Sequence, residues 1–302
     1  MILCAGEALI DMLPRETSEG ESAFAPHAGG AVFNTAITLG RLGVATQFFS
    51  GISTDLFGEV LVDALTASKV DASPAARSDR PTTLAFVKLV DGQASYAFYD
   101  ENTAGRMLNT LPETTADAYF FGGISLAVEP CGVSYEALQK KVADTAVTMI
   151  DPNIRPSFIN DERVYRHRVG GMVGRADIVK LSDEDMEWLL GAGDMAAKAN
   201  ELLEEGVKLV CVTEGAKGVT GYCKSGAVFV AADKAEVVDT VGAGDTFNGG
   251  LLAGLDRAGV LTKAGLDTLD ADTLRAALSL GAKAAAITVG RAGANPPWAD
   301  EL

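Results

Sequence analysis

The sequence lacks the features of several common protein classes. Its four cysteines, Cys4, Cys131, Cys211 and Cys223, are scattered and form no C-x-x-C or metal-ligand spacing. No long apolar run occurs, and no basic, hydrophobic leader opens the chain, so neither a signal peptide nor a transmembrane helix is expected. These absences predict a cytoplasmic protein without structural disulfides.

Basic residues are scarce as well. There are 25 Lys and Arg residues against 41 Asp and Glu, which gives a formal net charge of −16. Such a surface repels phosphate backbones and anionic lipids, so nucleic acid and membranes are not expected as partners. The Gly-Lys dipeptide of a Walker A phosphate loop does not occur anywhere in the chain.

One stretch, residues 238–250, carries the strongest chemical signal. Apolar, β-prone residues lead into Gly242 and Gly244, and a helical apolar pattern follows. We therefore expect a strand, a glycine turn and a helix whose first N–H groups form an anion site. Asp245 lies inside this site, where a carboxylate is costly unless it has a task such as accepting a proton. The stretch predicts a phosphotransferase with Asp245 as base, although a turn that serves only close packing is the alternative.

Alternation of strands and helices over 302 residues predicts one doubly wound, mostly parallel α/β domain. A buried strand is expected over residues 2–9, ending at Asp11, with an irregular segment over 12–28. Period-two alternation around Asp91-Gly92 predicts a hairpin. Because this hairpin interrupts the βα series, we expect a small β lid formed by roughly 12–28 and 79–105. The other predicted strands are 45–51, 117–121, 146–151, 177–181 and 208–213, with a strand at Val237-Val238 and a hairpin over 218–231; the predicted helices are 31–42, 55–69, 132–145, 194–205 and 274–289.

Three motifs resemble the signatures of the ribokinase-like (PfkB-type) carbohydrate kinases. Residues 239–247 resemble the second signature, residues 29–43 resemble the first, and residues 51–58 resemble the block that follows it. The order and spacing match along nearly the whole chain. The segments Gly6–Asp11 and Asp151–Arg155 are most similar to those of bacterial fructokinases.

The resemblance implies an ATP-dependent sugar kinase with D-fructose as the expected substrate, phosphorylated at its terminal hydroxyl. Asp245 would take the proton of that hydroxyl, and the N–H groups of Gly242, Ala243 and Gly244 would hold the transferring phosphoryl group. Arg155, after a strand end, suits a phosphate. The implied sugar contacts are Asp11, Gly29, Gly30 and Asn34, with Tyr96 and Phe98 covering the sugar from the lid. Tyr96 and Phe98 could equally pack within the lid or on a second subunit.

The resemblance also implies contacts to the nucleotide and to metal ions. The implied nucleotide contacts are Asn153, Lys180, Thr213, Glu214, Gly215, Gly218, Gly242, Gly244 and Asn248, with Asn248 facing adenine or ribose. Asp239, the Val241 carbonyl and the loop holding Arg291 and Gly293 resemble a K⁺ site, although Arg291 could pair with Asp239 instead. Mg²⁺ is expected with ATP. The family's Asn-x-x-Glu motif is replaced by Ser182–Asp185, which leaves open the side chains that order the waters of Mg²⁺. The run Ser182 to Glu187 is also typical of a capped helix start with solvated acids.

Three other functions remain open at this stage. A 2-keto-3-deoxygluconate kinase would need a cation on the lid, but residues 96–101 are uncharged and then acidic, with Arg106 off the strand. A nucleoside kinase is a second possibility, disfavoured by the Gly6-Glu7 opening. A non-catalytic sensor would have lost Asp245 or the glycine turn, and both are intact. Family resemblance further implies a homodimer through the lid hairpin.

Overall fold

The computed structural model describes residues 1–90 and 93–302, with the side chains of residues 88–96 left undescribed. The strands, in chain order, are β1 Ile2–Ala5, β2 Leu9–Glu16, β3 Ser22–Gly29, β4 Thr46–Phe49, β5 Gly51–Ser53, β6 Val70–Asp71, β7 Ala76–Ser78, β8 Leu84–Val90, β9 Gln93–Tyr99, β10 Ala118–Gly122, β11 Val147–Asp151, β12 Ile178–Ser182, β13 Leu209–Thr213, β14 Gly218–Cys223 and β15 Gly226–Ala231. The α-helices are α1 Ala31–Arg41, α2 Leu56–Ala67, α3 Cys131–Val142, α4 Glu162–Val173, α5 Asp183–Leu190, α6 Met195–Glu204, α7 Ala243–Arg257, α8 Lys263–Asp267 and α9 Ala271–Val289.

A nine-stranded sheet forms the centre of the molecule, in the order β15-β14-β13-β12-β11-β10-β1-β4-β6. Seven neighbouring strands of this sheet are parallel: β13, β12, β11, β10, β1, β4 and β6. Strands β14 and β15 continue the sheet beyond β13 as an antiparallel hairpin. The parallel strands are apolar and buried on both faces, because helices cover both sides of the sheet. This is the predicted doubly wound α/β architecture.

Two apolar clusters, one on each face, hold the helices to the sheet. One cluster joins α1, α2, α7 and α9 to the sheet, and the other joins α3, α4, α5 and α6. Both α1 and α7 therefore lie on the same face. Their amino-terminal ends, which begin after Gly30 and Gly242, meet at the carboxyl ends of the strands, where ligands bind in open α/β sheets.

A second sheet of four strands, in the order β3-β2-β8-β9, forms the lid. Asp11 is in register with Ala85, and Ala85 with Phe98, so all three lie on one face of this sheet. The side chain of Asp55 caps α2 by accepting from the N–H of Gly58, and it also accepts from the N–H of Thr82 just before β8 (2.8 Å each). The start of the lid hairpin is thereby tied to the amino-terminal end of α2.

Two sequence expectations are wrong. Residues 12–28 are not irregular, because β2 and β3 form an antiparallel hairpin there, and Asp11 lies inside β2 rather than at the end of β1. The predicted strand at Val237-Val238 does not form. Both side chains are more than 60% exposed, and the segment bonds the Val289 carbonyl at the end of α9 instead of a neighbouring strand. The pattern also missed α4 and α8. The turn at Asp91-Gly92 lies outside the described residues.

All four cysteines are free and buried. Two of them, Cys4 and Cys211, lie in β1 and β13 as small core residues. Among the helices of the described residues, none is long and apolar enough to cross a membrane.

Candidate active site

The amino-terminal end of α7 is built by a glycine in a left-handed conformation. Gly242 precedes the helix with φ 78°, a region that disfavours residues with a side chain. A Cβ at this position would also lie 2.5 Å from the Cβ of Ala294. The loop after α9 therefore packs directly on the turn, and the first N–H groups of α7 point into a cleft as an anion site.

Asp245 lies in the first turn of α7 and is buried. Its Oδ2 accepts a hydrogen bond from Nδ2 of Asn34 at 2.9 Å, and its Oδ1 accepts one from Nδ2 of Asn153 at 3.4 Å. Burial raises the pKa of this carboxyl to about 7, the nearby Asp151 adds to the rise, and Asn34 and Lys180 oppose it. Such a group is poised to accept a proton near neutral pH.

A buried ion pair lies beside this turn. Nζ of Lys180 is 3.0 Å from Oδ2 of Asp151, and the same oxygen accepts a hydrogen bond from Nδ2 of Asn248 at 2.7 Å. Burial disfavours the charge on Lys180, but Asp151, Asp185 and the other carboxylates around it outweigh that effect and raise its pKa. A Cβ built on Gly244 would lie 3.3 Å from Nζ, so a fixed cation borders the anion site.

Carboxylates also border the cleft on the lid side. Burial raises the pKa of Asp11 to about 7, and the charge of Asp239 contributes. Below them, the buried Glu7 accepts from the N–H groups of Ala31 at 3.0 Å and Ser125 at 3.3 Å, which ties the start of α1 to the end of β1. Polar atoms therefore converge on a space suited to a hydroxylated ligand.

Two cavities meet at the start of α7. The first, of about 660 Å³, is lined by residues of the lid, α1 and the glycine turn, including Asp11, Gly30, Asn34, Phe98, Arg155, Lys180 and Asp245. The second, of about 670 Å³, is more apolar and is lined by Thr213, Gly215, Gly218, Val219, Phe247, Val289 and alanines of α9. Thr240, Ala243 and Gly244 line both. Each volume lies within the roughly 300–1,000 Å³ that ligand pockets span.

Comparison with known proteins agrees with this geometry. The sequence pattern of the pfkB family of carbohydrate kinases matches residues 1–301. The chain belongs to the pfkB carbohydrate kinase family. It is 55% identical to a fructokinase of Rhizobium leguminosarum bv. trifolii, over 91% of this chain and 86% of that protein. It is 33% identical to the probable fructokinase-7 of Arabidopsis thaliana, over 98% of this chain and 89% of that protein.

Solved structures show the same fold. A fructokinase of Xylella fastidiosa with bound ATP superposes with a TM-score of 0.85 at 28% identity, covering 97% of this chain and 93% of that one. A fructokinase double mutant of Vibrio cholerae O395, with fructose, ADP and potassium ion bound, gives a TM-score of 0.86 at 25% identity with the same coverage. The predicted ribokinase-like fold is confirmed.

The kinase brings most of the predicted site residues together in the two cavities. The first holds the glycine turn with Asp11, Gly30, Asn34, Phe98, Asn153, Arg155, Lys180, Asp239 and Val241, and the second holds Thr213, Gly215 and Gly218. Gly29 packs on the carboxylate of Asp11. Glu214 forms a salt bridge to Lys217 beside the second cavity. The side chain of Tyr96 lies outside those described.

One predicted contact and one alternative interpretation are wrong. Asn248 does not face adenine or ribose, because it is 1% exposed on the inner face of α7 and bonds Asp151. Arg291 does not pair with Asp239, because it forms a salt bridge to Glu301. The two oxygens of Asp239 instead accept from the N–H groups of Val241 and Gly293, at 3.0 Å each. Asp239 thereby joins the glycine turn to the loop after α9.

Sequence reasoning missed three buried acids of the kinase. Glu7 and Asp151 were quoted only as parts of motifs, and Asp185 was interpreted as one of several solvated acids at a helix start. Ser182 does cap α5, but Asp185 turns inward and accepts from the N–H of Ile154 at 3.1 Å. A carboxylate at the carboxyl end of a buried strand, as in Asp151, was the one available signal.

Replacing Gly242 by alanine should disable the kinase through its backbone. A left-handed alanine costs about 1–2 kcal/mol, and its Cβ would push against Ala294, displacing the N–H groups of the turn. Loss of one such donor lowers kcat by about 10²-fold in comparable sites. The matched control is Gly259→Ala beyond the far end of α7, where φ is 69° and no atom lies within 4 Å of the new Cβ. Steady-state turnover and thermal melting of both variants separate the loss of activity from the loss of stability. Equal kcat losses in the two variants would contradict the role of the Gly242 turn as an anion site.

Proposed function

We propose that this kinase transfers the γ-phosphoryl group of ATP to the 6-hydroxyl of D-fructose and releases fructose 6-phosphate. One observation carries the proposal: the amino-terminal end of α7 separates a polar cavity under the lid from an apolar cavity at β13 and α9, and Asp245 lies at their junction. A sugar in the first cavity and a nucleotide in the second would meet at that turn. Two relatives with this fold, whose bound ligands include ATP in one and fructose in the other, support the arrangement.

The proposed reaction uses groups that are already in place. Asp245 accepts the proton of the 6-hydroxyl while the oxygen attacks the γ-phosphorus in line with the departing ADP. The bond to the sugar oxygen forms as the bond to the β-phosphate oxygen breaks, and the proton stays on Asp245 until the product leaves. Asn34 and Asn153 hold the carboxylate with their amide donors. The N–H groups of the turn and the cation of Lys180 stabilise the charge on the transferring oxygens.

The nucleotide is proposed to lie along the second cavity. Its apolar walls, Val219, Phe247 and Val289, suit the faces of a base, and Gly215 and Gly218 at the end of β13 let the backbone approach. Arg155, exposed at the edge of the first cavity, is placed to meet phosphate oxygens from the other side.

Charge supports a neutral sugar in the first cavity. Asp11 lies on the lid face that covers the cavity, where its oxygens can accept two sugar hydroxyls. Arg106, the cation nearest the end of β9, is already paired with Asp100 at 3.1 Å. A 2-keto-3-deoxygluconate carboxylate would meet acids here, so that substrate is the less favoured alternative.

Two cations complete the proposal. Carboxylate and carbonyl oxygens are the ligands that K⁺ and Mg²⁺ prefer, and Asp239 with the Val241 carbonyl offers such oxygens beside the turn. Arg291 takes part only through its backbone. Mg²⁺ would come with ATP and neutralise phosphate charge. Within the described residues, no cluster of three or more His, Cys, Asp or Glu side chains could hold a metal by itself.

A substrate panel tests the proposed function. ADP release is measured with fructose, ribose, 2-keto-3-deoxygluconate and adenosine, each in Na⁺ and in K⁺, and the product is identified by ³¹P and ¹³C NMR. Fructose should give the highest kcat/KM and a phosphate on carbon 6, with faster turnover in K⁺. A higher kcat/KM for 2-keto-3-deoxygluconate would refute the charge argument, and no turnover with any sugar would favour a sensor.

A homodimer through the lid is also proposed. Three aromatic side chains lie on the lid face that points away from the first cavity. Phe86 contacts Phe24 on one side and Tyr99 on the other, both in edge-to-face arrangements. Phe24 is 47% exposed and Tyr99 is 63% exposed. Apolar patches of this kind mark interfaces between proteins.

The oligomeric state provides its test. We expect light scattering to show a dimer for the wild type and a monomer for Phe24→Glu. The control is Val133→Glu on α3, a residue of similar exposure (54%) on another surface. A monomeric wild type at all concentrations, or a dimer that survives Phe24→Glu, would disprove this interface.

A further inference from the structure

An aromatic pair lies at the lid end of the first cavity, where the sugar is proposed to bind and which is called the sugar cavity below. Phe98, on the inner face of the lid, contacts Phe158 from below, with ring centroids 4.8 Å apart and an edge-to-face arrangement. Phe158 ends the short turn Pro156–Phe158 after Arg155, and its ring packs against the apolar cluster of α3 to α6. The main body of the protein therefore fixes one half of the pair, and the lid carries the other.

Beyond this pair lies a separate groove of about 550 Å³. It runs between the edge strand β9 and residues 157–160, and Phe98 borders both the groove and the sugar cavity. A small gap of about 20 Å³ lies between them, sharing Glu7 and Ile124 with the sugar cavity and Phe158 and Arg106 with the groove. Phe158 borders the groove and the gap, and its ring contacts Phe98, which borders the groove and the sugar cavity, so this aromatic pair lies where the three spaces approach one another.

The lining of the groove indicates what it could accept. Its hydroxyl and amide groups come from Thr82, Tyr99, Thr103, Ser157 and Asn160. Its charged groups are the paired Asp100 and Arg106 and the exposed Glu101, so the groove carries one negative charge in excess. A phosphate or carboxylate would be repelled, whereas a neutral polyhydroxylated group would find hydrogen-bond partners.

We propose that Phe158 determines acceptor length: it confines the kinase to a single ketose unit, and the groove behind it is a latent subsite for a neutral glycosyl extension. The inference rests on the proposed function, because the extension is that of a fructose whose 6-hydroxyl faces Asp245. Replacing the benzyl side chain of Phe158 by the methyl group of alanine opens a path for a substituent on the hydroxymethyl group at the other end of the ketose. Phe158 contacts no reacting atom, so chemistry on unsubstituted fructose continues.

The test compares acceptors within each variant. The kcat/KM values of fructose, 1-O-benzylfructose and a disaccharide carrying a glucosyl group on carbon 1 of fructose are measured for wild type, Phe158→Ala and Phe158→Leu. Phe158→Ala should raise the ratio of extended acceptor to fructose by at least tenfold, while kcat/KM for fructose changes less than that. Phe158→Leu, which keeps a branched apolar side chain on the core, should give a smaller rise.

The matched control is Phe24→Ala, which removes an aromatic contact from the opposite face of the lid and lines neither the groove, the gap nor the sugar cavity. An unchanged ratio in Phe158→Ala, or in Phe158→Leu where the alanine variant does not fold, would overturn the proposal. An equal rise in Phe24→Ala would also overturn it, because general loosening of the lid would then explain the result. Failure of the proposed function itself would show separately, as absence of fructose turnover by the wild type.

Discussion

Replacing Asp245 by asparagine should lower kcat with fructose by about 10³-fold, within the range for loss of a general base. The amide has nearly the shape of the carboxyl and can still bond Asn34, but it cannot accept a proton from the sugar hydroxyl. Because the change lies in the chemical step, KM for fructose and for ATP should change much less than kcat.

The control for this prediction lies on the same helix. Asp256→Asn near the carboxyl end of α7 makes the same chemical change at an exposed position. It should keep wild-type turnover. If Asp245→Asn retained more than a tenth of wild-type kcat, Asp245 would not be the base, and a water or another carboxylate would have to be sought.

Replacing Lys180 by methionine should give the second largest loss, about 10²-fold in kcat, comparable to removing one donor from an oxyanion site. The cation that borders Gly244 would be gone, so the transferring phosphoryl group would lose a fixed positive charge. Since Lys180 also opposes the rise in the pKa of Asp245, the variant should need a higher pH for full activity.

The single variant also leaves Asp151 as a buried charge without its partner, which costs about 3–5 kcal/mol of stability. The double variant Asp151→Asn/Lys180→Met removes both charges and should recover most of that stability. If the double variant regained turnover together with stability, Lys180 would be a structural residue only. Thermal melting and kcat, measured on both variants, distinguish these cases.

The parts of the fold that follow from local pattern were predictable from the sequence. The helix after Gly244 was predicted because glycine, then an apolar stripe, is a local signal. Residues 12–28 were misjudged because Pro14 and Pro26 suggest a loop. Pro26 lies on β3, an edge strand that tolerates proline, and β2 pairs with β8 only over Ile10–Met12, which leaves Pro14 outside that pairing. Such an exception depends on the position of a strand within a sheet.

The inner layer of the site was hidden for a similar reason. Asn248 follows Asp245 by three residues, and the pattern alone could not decide whether it faces the ligand or the protein interior. Asp185 looked solvated because its neighbours are acids, yet the loop before Arg155 covers it. Residues at the ligand surface follow from motifs, whereas those that hold them depend on packing between distant segments.

The most direct test of the account is the pH dependence of kcat/KM for fructose in wild type, Asp11→Asn and Asp245→Asn. Burial places the pKa of both Asp245 and Asp11 at about 7, and only the ionised form of the base can accept a proton. The wild-type value should therefore fall as the pH drops through about 7. Asp11→Asn should bind fructose more weakly but keep this acid limb, and Asp245→Asn should lose it. An acid limb that persists in Asp245→Asn and disappears in Asp11→Asn would contradict the assignment of Asp245 as the catalytic base.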